Sequence, residues 1–357
     1  MNSPHSPIRW GVIGCGQIAV DKTIPGLLAA RGAQLVALSD PLEVRRSLAR
    51  NLTKNAGGEE VRAYASGSEL VAAPDVDAVY IALPTGMHAE AVLEGARAKK
   101  AILCEKPLGR SAAEVAGMVR AAQEAGVPLM TGYMSRFSDV FQKGVHLLRE
   151  EAIGQITFVS AHFSYPCLKY YPPGAPGGWR WTDSEGGGPL LDIGVYLAFG
   201  LREMLGDSIA RIGVLNTDTI APSEVAIPDT TAAWFQTRKG IPGTFVTTFS
   251  HYECRLAFYG SRGQLIIERP FNQTPGGRLE LRTDDRHFVL DSQSDENLPH
   301  YDNYRREFEH FSRALLEKTP YHPSGLEVLT DALLLDALKD KSGSVVDIAG
   351  AEEFLQR

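Results

Sequence analysis

Apolar residues in the first third of the chain come in short continuous runs separated by segments of helical period. Residues 8–13, 34–39, 78–83, 101–104 and 127–133 read as buried strands, and 20–31, 88–99 and 111–125 as the helices between them. Pro25 predicts a kink or a late start in the first helix. Thr85 reads as the cap of the second, and Ser111-Ala112-Ala113-Glu114 as a capping box opening the third. Such alternation predicts a doubly wound parallel sheet. From about residue 135 the pattern changes. A helix over 138–151 leads into strand-like runs at 156–164, 234–237, 244–251, 256–259 and 264–268, separated by short turns. That spacing predicts an antiparallel or mixed sheet. Helical segments at 301–317 and 325–341 finish the chain, the first expected to pack back on the amino-terminal half. The fold class is α/β, with residues 1–134 as a nucleotide-binding domain and 135–357 as a substrate-binding and oligomerisation domain.

Composition narrows the partners. A chain of 357 residues is long enough for two cores, and 44% hydrophobic with 22% charged residues is ordinary for a globular protein. The net charge of -7 offers no basic field, which argues against nucleic acid and anionic membranes. No apolar run reaches the roughly 18 residues that span a bilayer. Met1 to Pro7 is polar with two prolines, unlike a signal peptide. Cys15, Cys104, Cys167 and Cys254 are too scattered for a zinc site or a disulfide framework, so no metal is expected and a reducing cytoplasm fits. A large sheet with helices on one face needs cover on the other. A homo-oligomer, dimer or tetramer, built through the carboxyl-terminal sheet supplies it.

The first candidate chemistry follows the first strand. Gly14-Cys15-Gly16-Gln17-Ile18-Ala19 has the form G-x-G-x-x-A between a strand and a helix. Gly14 permits the tight turn, Gly16 lets backbone approach a pyrophosphate, and Ala19 lets the helix pack closely. Asp40 ends the next strand 21 residues after Ala19. A carboxylate there accepts from both ribose hydroxyls and repels a 2′-phosphate, which favours NAD over NADP, while Arg45 and Arg46 nearby temper that preference. Leu83, Pro84, Thr85 and His88 follow a further strand at the same sheet edge. His88 either touches the nicotinamide side of the cofactor or braces the turn. Residues 101–105 then deliver Glu105 and Lys106 to that edge, where Pro107 ends sheet pairing. A lysine so placed can give a charge or a proton to a bound substrate.

The second constellation is the stretch from Trp179 to Tyr196, in which Gly186-Gly187-Gly188-Pro189 enters a helix. Asp192 and Tyr196 are four apart and share a helix face. Together they suit hydroxyl chemistry: the phenol exchanges the hydroxyl proton and the carboxylate orients the alcohol. Moving a phenolic proton near neutral pH costs roughly 3 to 4 kcal/mol. An ammonium about 4 Å away at an effective dielectric near 20 supplies about 4 kcal/mol, a part Lys106 is suited to play.

In this order, Gly14-x-Gly16-x-x-Ala19, Pro84-Thr85-x-x-His88, Glu105-Lys106-Pro107, Trp179-Arg180 and Gly186-Gly187-Gly188-x-Leu190-x-Asp192-x-Gly194 resemble the glucose-fructose oxidoreductase, inositol dehydrogenase and rhizopine catabolism (Gfo/Idh/MocA) family across nearly the whole chain. The resemblance implies a Rossmann domain followed by an α/β domain with an open, mostly antiparallel mixed sheet. It also implies hydride transfer between NAD or NADP and a hydroxyl of a sugar, polyol or similar ring. By the same resemblance Lys106 is catalytic, Asp192 is the aspartate of the glycine-rich helix, and Trp179 and Arg180 contact the cofactor. Tyr196, where many members carry histidine, looks like the branch with D-xylose dehydrogenase and dihydrodiol dehydrogenase, in which that tyrosine moves the proton. Met134 stands where an asparagine or histidine is commoner. Gly14, Gly16, Gln17, Ile18, Ala19, Asp40, Leu83, Pro84, Thr85, His88, Glu105, Lys106, Trp179 and Arg180 are therefore the expected cofactor residues. Lys106, Arg136, Trp181, Asp192 and Tyr196 are the expected substrate residues. The rivals are a cofactor-binding, sugar-sensing regulator without turnover, since fold does not secure function, and a reductase of a nonsugar ring such as a dihydrodiol.

Overall fold

The computed structural model describes residues 6–175, 177–272, 275–292 and 298–356. Residues 1–5, part of the polar start read above, lie outside them. The chain divides into two compact units: Met1–Leu108, Ala113–Phe137 and Asn297–Gly325 form the first, and Gly109–Ala112, Ser138–Glu296 and Leu326–Arg357 the second.

In the first unit, β1 (Ile8–Ile13), β2 (Ala33–Ser39), β3 (Arg62–Tyr64), β4 (Ala78–Ile81), β5 (Ala101–Glu105) and β6 (Leu129–Gly132) make one sheet in the order β3-β2-β1-β4-β5-β6. Every pairing is parallel. The strand order reverses at β1, so the carboxyl ends of β1 and β4 flank the crevice where such sheets take ligands. β4 is buried along its whole length, as a strand covered on both faces must be.

The segment after β1, read as helical over 20–31 with a kink or late start at Pro25, starts its α-helix late, at Ile24. Ala19–Thr23 winds as a π-helix and Ile24–Ala29 as an α-helix. Pro25 sits in the first turn of the α-helix, where its missing N–H costs nothing, and the wider winding upstream relieves the clash its ring makes one turn back. The helix Asp302–Glu317 joins this unit from the far end of the sequence. Phe308 meets the Trp10 ring edge-on at 5.1 Å and the Tyr80 ring at 5.2 Å, and the Trp10 indole N–H donates to Ser312 Oγ at 3.0 Å. Gly26 allows this approach, because a Cβ there would lie 2.9 Å from the Tyr304 Cβ.

The second unit is built on nine strands: β7 (Ile156–Ser164), β8 (Ile209–Thr217), β9 (Thr230–Thr237), β10 (Pro242–Thr248), β11 (Glu253–Gly260), β12 (Gly263–Glu268), β13 (Arg278–Thr283), β14 (His287–Asp291) and β15 (Val345–Asp347). Their order is β14-β13-β12-β11-β7-β10-β9-β8-β15, with β7 and β10 parallel and the remaining neighbours antiparallel. Ser138 Oγ accepts the Phe141 N–H at 3.4 Å and so caps the helix Asp139–Arg149. This helix and Val195–Leu205 cover one face of the sheet, where Phe141 stacks on Phe199 at 5.3 Å and Gly200 lies under Phe271.

Four of these strands, β8, β13, β14 and β15, escaped the sequence reading. β13 alternates buried Leu279 and Leu281 with Arg278, Glu280 and Arg282, so half of its positions carry charge and no apolar run stands out. β15 is three residues long. Among the described residues, no helix is long and apolar enough to cross a membrane.

Candidate functional site

Sheet register sets the site in the first unit. Ile13, Ile81, Cys104 and Thr131 lie level across β1, β4, β5 and β6, so Gly14, Ala82 and Glu105 leave the sheet at one edge. Gly14 has φ +95°, and a Cβ there would lie 2.4 Å from the Ala82 carbonyl oxygen. Only glycine fits both constraints. Gly16 differs: a Cβ added there meets nothing within 4 Å. The protein leaves that side of the loop open, a cradle of the kind a pyrophosphate fills at a helix start. Ala19, fully buried, begins the π-helix after Gln17 and Ile18. Gly14→Ala is expected to cost about 1–3 kcal/mol of stability and to weaken dinucleotide binding, measured by thermal melts and by NADH fluorescence titration.

Asp40 is buried, with Oδ2 accepting the Cys15 N–H at 3.0 Å and Oδ1 the Leu42 N–H at 2.9 Å. Its carboxylate therefore holds the glycine loop, a task the sequence reading did not give it. Burial first, and then the Asp40 charge, push the Cys15 thiol up to about 12. Arg45 lies 3.7 Å from Asp40 Oδ2 and is half-exposed, while Arg46 pairs with Glu43.

After β4, the Leu83 side chain lines the Gly14 turn. Thr85 is buried and opens a 3-10 turn, Thr85–Met87, ahead of the helix His88–Arg97. It does not cap that helix, because this turn stands between them and Pro84 precedes it without a side-chain bond. His88 is buried with Nδ1 2.9 Å from the Pro107 carbonyl and Nε2 2.9 Å from the Leu83 carbonyl. Burial favours the neutral ring and the two carbonyls the charged one; burial is the larger effect. His88 thus bridges these two backbone segments.

The Lys106–Pro107 peptide is cis. The Lys106 N–H donates to Glu105 Oε2 at 3.1 Å, and the Tyr80 hydroxyl donates to Glu105 Oε1. Glu105, expected as a cofactor residue, is thus bonded inside its own unit. Arg136 stands in the 3-10 turn Met134–Phe137, 5.8 Å over the Phe137 ring, beside a buried Met134.

The second unit gathers the other expected residues. A Cβ on Gly187 would sit 2.6 Å from the Arg180 carbonyl, and the Gly188 N–H donates to that carbonyl at 2.7 Å. The glycines thus lay the loop against Trp179-Arg180-Trp181. Asp192 lies in a buried π-turn, Leu190–Gly194, and its Oδ2 accepts Arg180 Nε at 2.9 Å and the Tyr165 hydroxyl at 2.7 Å. The Arg180 guanidinium lies 4.2 Å over the Tyr171 ring and 4.6 Å over Trp179. Arg180, expected to contact cofactor, is here the partner of Asp192. Burial works against its charge, and Asp192 with Tyr165 and Tyr171 overcomes that and raises its pKa. Burial, and next the Asp192 charge, push the Tyr165 phenol well above its usual range.

Trp181, expected to line a pocket, is buried with Cys167, Ile193 and Phe249, and its indole donates to the Tyr171 carbonyl at 2.8 Å. Tyr196 is also buried, its ring 5.8 Å from Phe163 and 5.5 Å from Phe271. Tyr165 and Tyr171 were missed. Tyr165 had a signal: like Lys106 it directly precedes a proline at the end of a strand.

Comparison with known proteins fits both units. The oxidoreductase family with an NAD-binding Rossmann fold, GFO/IDH/MocA, matches residues 8–133, and the GFO/IDH/MocA carboxyl-terminal domain matches residues 141–266. The chain is 30% identical over 344 residues to the dTDP-3,4-didehydro-2,6-dideoxy-alpha-D-glucose 3-reductase of Actinomadura kijaniata, covering 94% of this chain and 95% of that protein. It is 32% identical over 276 residues to the trans-1,2-dihydrobenzene-1,2-diol dehydrogenase of Mus musculus, covering 73% and 75%. The crystal structure of a 3-ketoreductase from Actinomadura kijaniata in complex with NADP and TDP-benzene superposes with a TM-score of 0.78 at 28% identity, covering 94% of this chain and 98% of that one. On its glycine loop, its two sheets and these matches, the chain is an NAD(P)-dependent oxidoreductase and belongs to the GFO/IDH/MocA family.

Proposed function

We propose that the protein moves hydride between a nicotinamide cofactor and the hydroxyl- or carbonyl-bearing carbon of a sugar, cyclic polyol or related ring. The observation that carries this reading is one sheet edge bearing the open cradle at Gly16, the buried Asp40 and the Glu105-Lys106 pair. When bound, the dinucleotide supplies the hydride acceptor or donor. Gly14, Gly16 and the helix start after them hold its phosphates. Lys106 is the group proposed to polarise the substrate oxygen, and Tyr196 the group proposed to exchange the hydroxyl proton. Asp192, fixed by Arg180 and Tyr165, orients the substrate hydroxyls. The rings of Tyr165 and Tyr171 lie against that ion pair. They suit the C–H faces of a sugar and equally an arene-derived diol, the substrate of the mouse relative.

An initial-rate screen of aldoses, inositols, dihydrodiols and a nucleotide-linked keto-sugar, each with NAD and NADP, tests the reading. Turnover in one class supports it. Tight NADH binding without turnover in any class sinks it and leaves the regulator. NAD is the proposed preference, through Asp40, although the 3-ketoreductase relative was solved with NADP. Asp40→Ser is expected to move the kcat/KM ratio toward NADP by about ten-fold or more. It also lowers the melting temperature, because the Cys15 and Leu42 N–H groups lose their acceptor. The melt separates the loop-holding role from the ribose role.

We further propose that the protein is a cytoplasmic homo-oligomer built through the open sheet of the second unit. Four free cysteines fit a reducing compartment. Leu215 and Trp234 stand 58% and 45% exposed on strands that also line an apolar trough with Ala232, Val246 and Val345. Trp234→Glu with Leu215→Asp is expected to yield monomers by light scattering.

A further inference from the structure

The first unit holds a second acid beside Glu105 that the reading of the reaction leaves unused. Glu307, on the helix Asp302–Glu317, is fully buried, and neither of its carboxyl oxygens is in hydrogen-bond geometry with a donor among the described residues. Its Oε2 reaches Gly132, the residue paired with Glu105 across β5 and β6. A Cβ on Gly132 would lie 3.6 Å from the Glu105 Cα and 3.7 Å from Glu307 Oε2. Gly132 therefore lies between the Glu105 main chain and the Glu307 carboxyl. Asn303, one turn earlier on the helix, also buries an amide nitrogen without a partner. An orphaned carboxyl of this kind needs a physical account.

Two carboxylates in one buried region cannot both be ionised cheaply, so the pair holds one proton. The hydrogen bonds decide where it sits. Burial is the largest effect on Glu105 and raises its pKa; against it, the Tyr80 hydroxyl and the Lys106 N–H, both of which donate to it, and the Lys106 charge favour its ionised form, a set of partners that Glu307 lacks. The Thr23 hydroxyl donates to Tyr80 at 3.2 Å, so the chain Thr23, Tyr80, Glu105, Lys106 runs from the segment after the glycine loop to the lysine. For Glu307 burial is the largest effect and the negative Glu105 adds to it, both holding the proton on, while the nearby Tyr133 N–H, outside hydrogen-bond geometry, opposes them. The other titratable groups around the pair are Tyr80, Tyr304 and the Cys104 thiol, and burial holds Tyr80 and Cys104 neutral.

We propose that Glu307 is a positioning residue for Lys106: as the protonated member of a single-proton acid pair, it lets Glu105 stay ionised and hold the lysine in place. The inference rests on the reading of Lys106 as catalytic. When rising pH ionises Glu307, the two like charges repel, Glu105 shifts, and Lys106 loses its bracing.

The test compares wild type, Glu307→Gln and Glu307→Leu in pH–rate profiles, NADH fluorescence titrations and thermal melts from pH 4 to 9. Glutamine mimics the protonated acid. It is expected to stay within about three-fold of wild-type kcat at pH 7 and to move the alkaline fall in rate to higher pH. Leucine is expected to lower kcat about ten-fold or more with NADH affinity nearly kept. In the melts, an unfolded glutamate ionises near pH 4 to 5 while the buried one keeps its proton. Wild type therefore loses stability as pH rises through that range and on to the folded-state ionisation, and Glu307→Gln does not. Their melting temperatures are expected to diverge with pH and to converge near pH 4. Parallel melting curves, or Glu307→Leu turning over like wild type, overturn the proposal. If wild type turns over nothing in the substrate screen, the reading of the reaction fails, and the melting curves still decide the acid pair.

Discussion

Lys106→Ala is expected to lower kcat by at least about 100-fold while NADH affinity, read by fluorescence, stays within about three-fold. The lysine leaves β5 at the edge that carries the glycine loop, and its main chain is pinned by Glu105. Alanine keeps that pinning and removes only the ammonium. Tyr196→Phe keeps the ring between Phe163 and Phe271 and removes only the hydroxyl, so a fall of similar size is expected. Near-wild-type turnover in both variants removes the proposed chemistry and leaves the nucleotide-binding fold intact.

Arg180→Met is the second large effect, and it appears first in stability. Asp192 is almost fully buried, and Arg180 sets a charge of opposite sign 2.9 Å from its Oδ2. Breaking a buried pair from one side typically costs about 3–5 kcal/mol, because the remaining charge has no solvent to turn to. The guanidinium also packs on Tyr171 and Trp179, so methionine loses those contacts as well. A lower melting temperature is expected. Asp192→Asn with Arg180→Met is expected to recover part of the loss. A single variant as stable as wild type shows that the pair contributes nothing net.

The parallel sheet was legible because each of its longer strands is a continuous apolar run with a turn signal after it. Ile156–Ser164 was legible down to its ends although Thr157, Ser160 and His162 interrupt its apolar residues. The outer strands of the second sheet were not, since Arg278, Glu280 and Arg282 interrupt the apolar signal at every second residue. At the candidate site, sequence found the residues that carry charge and missed those that hold them. Asp192 and Arg180 were read separately, yet they bond each other; their shared partner Tyr165 and the stacked Tyr171 come from a loop whose path no local pattern dictates. Glu307 gave no signal at all. It falls on an ordinary amphipathic helix, and only the return of that helix to the first sheet brings it near Glu105.

That return has a consequence for how the protein is made. Trp10 and Tyr80 are covered by Phe308 and Phe311, which leave the ribosome after almost the whole of the second unit. A nascent chain that has emerged only as far as Phe137 carries every strand of the parallel sheet but exposes that aromatic surface. The amino-terminal unit thus completes its core late in synthesis, and truncations ahead of Asp302 leave a sticky, protease-sensitive product rather than a free-standing nucleotide binder.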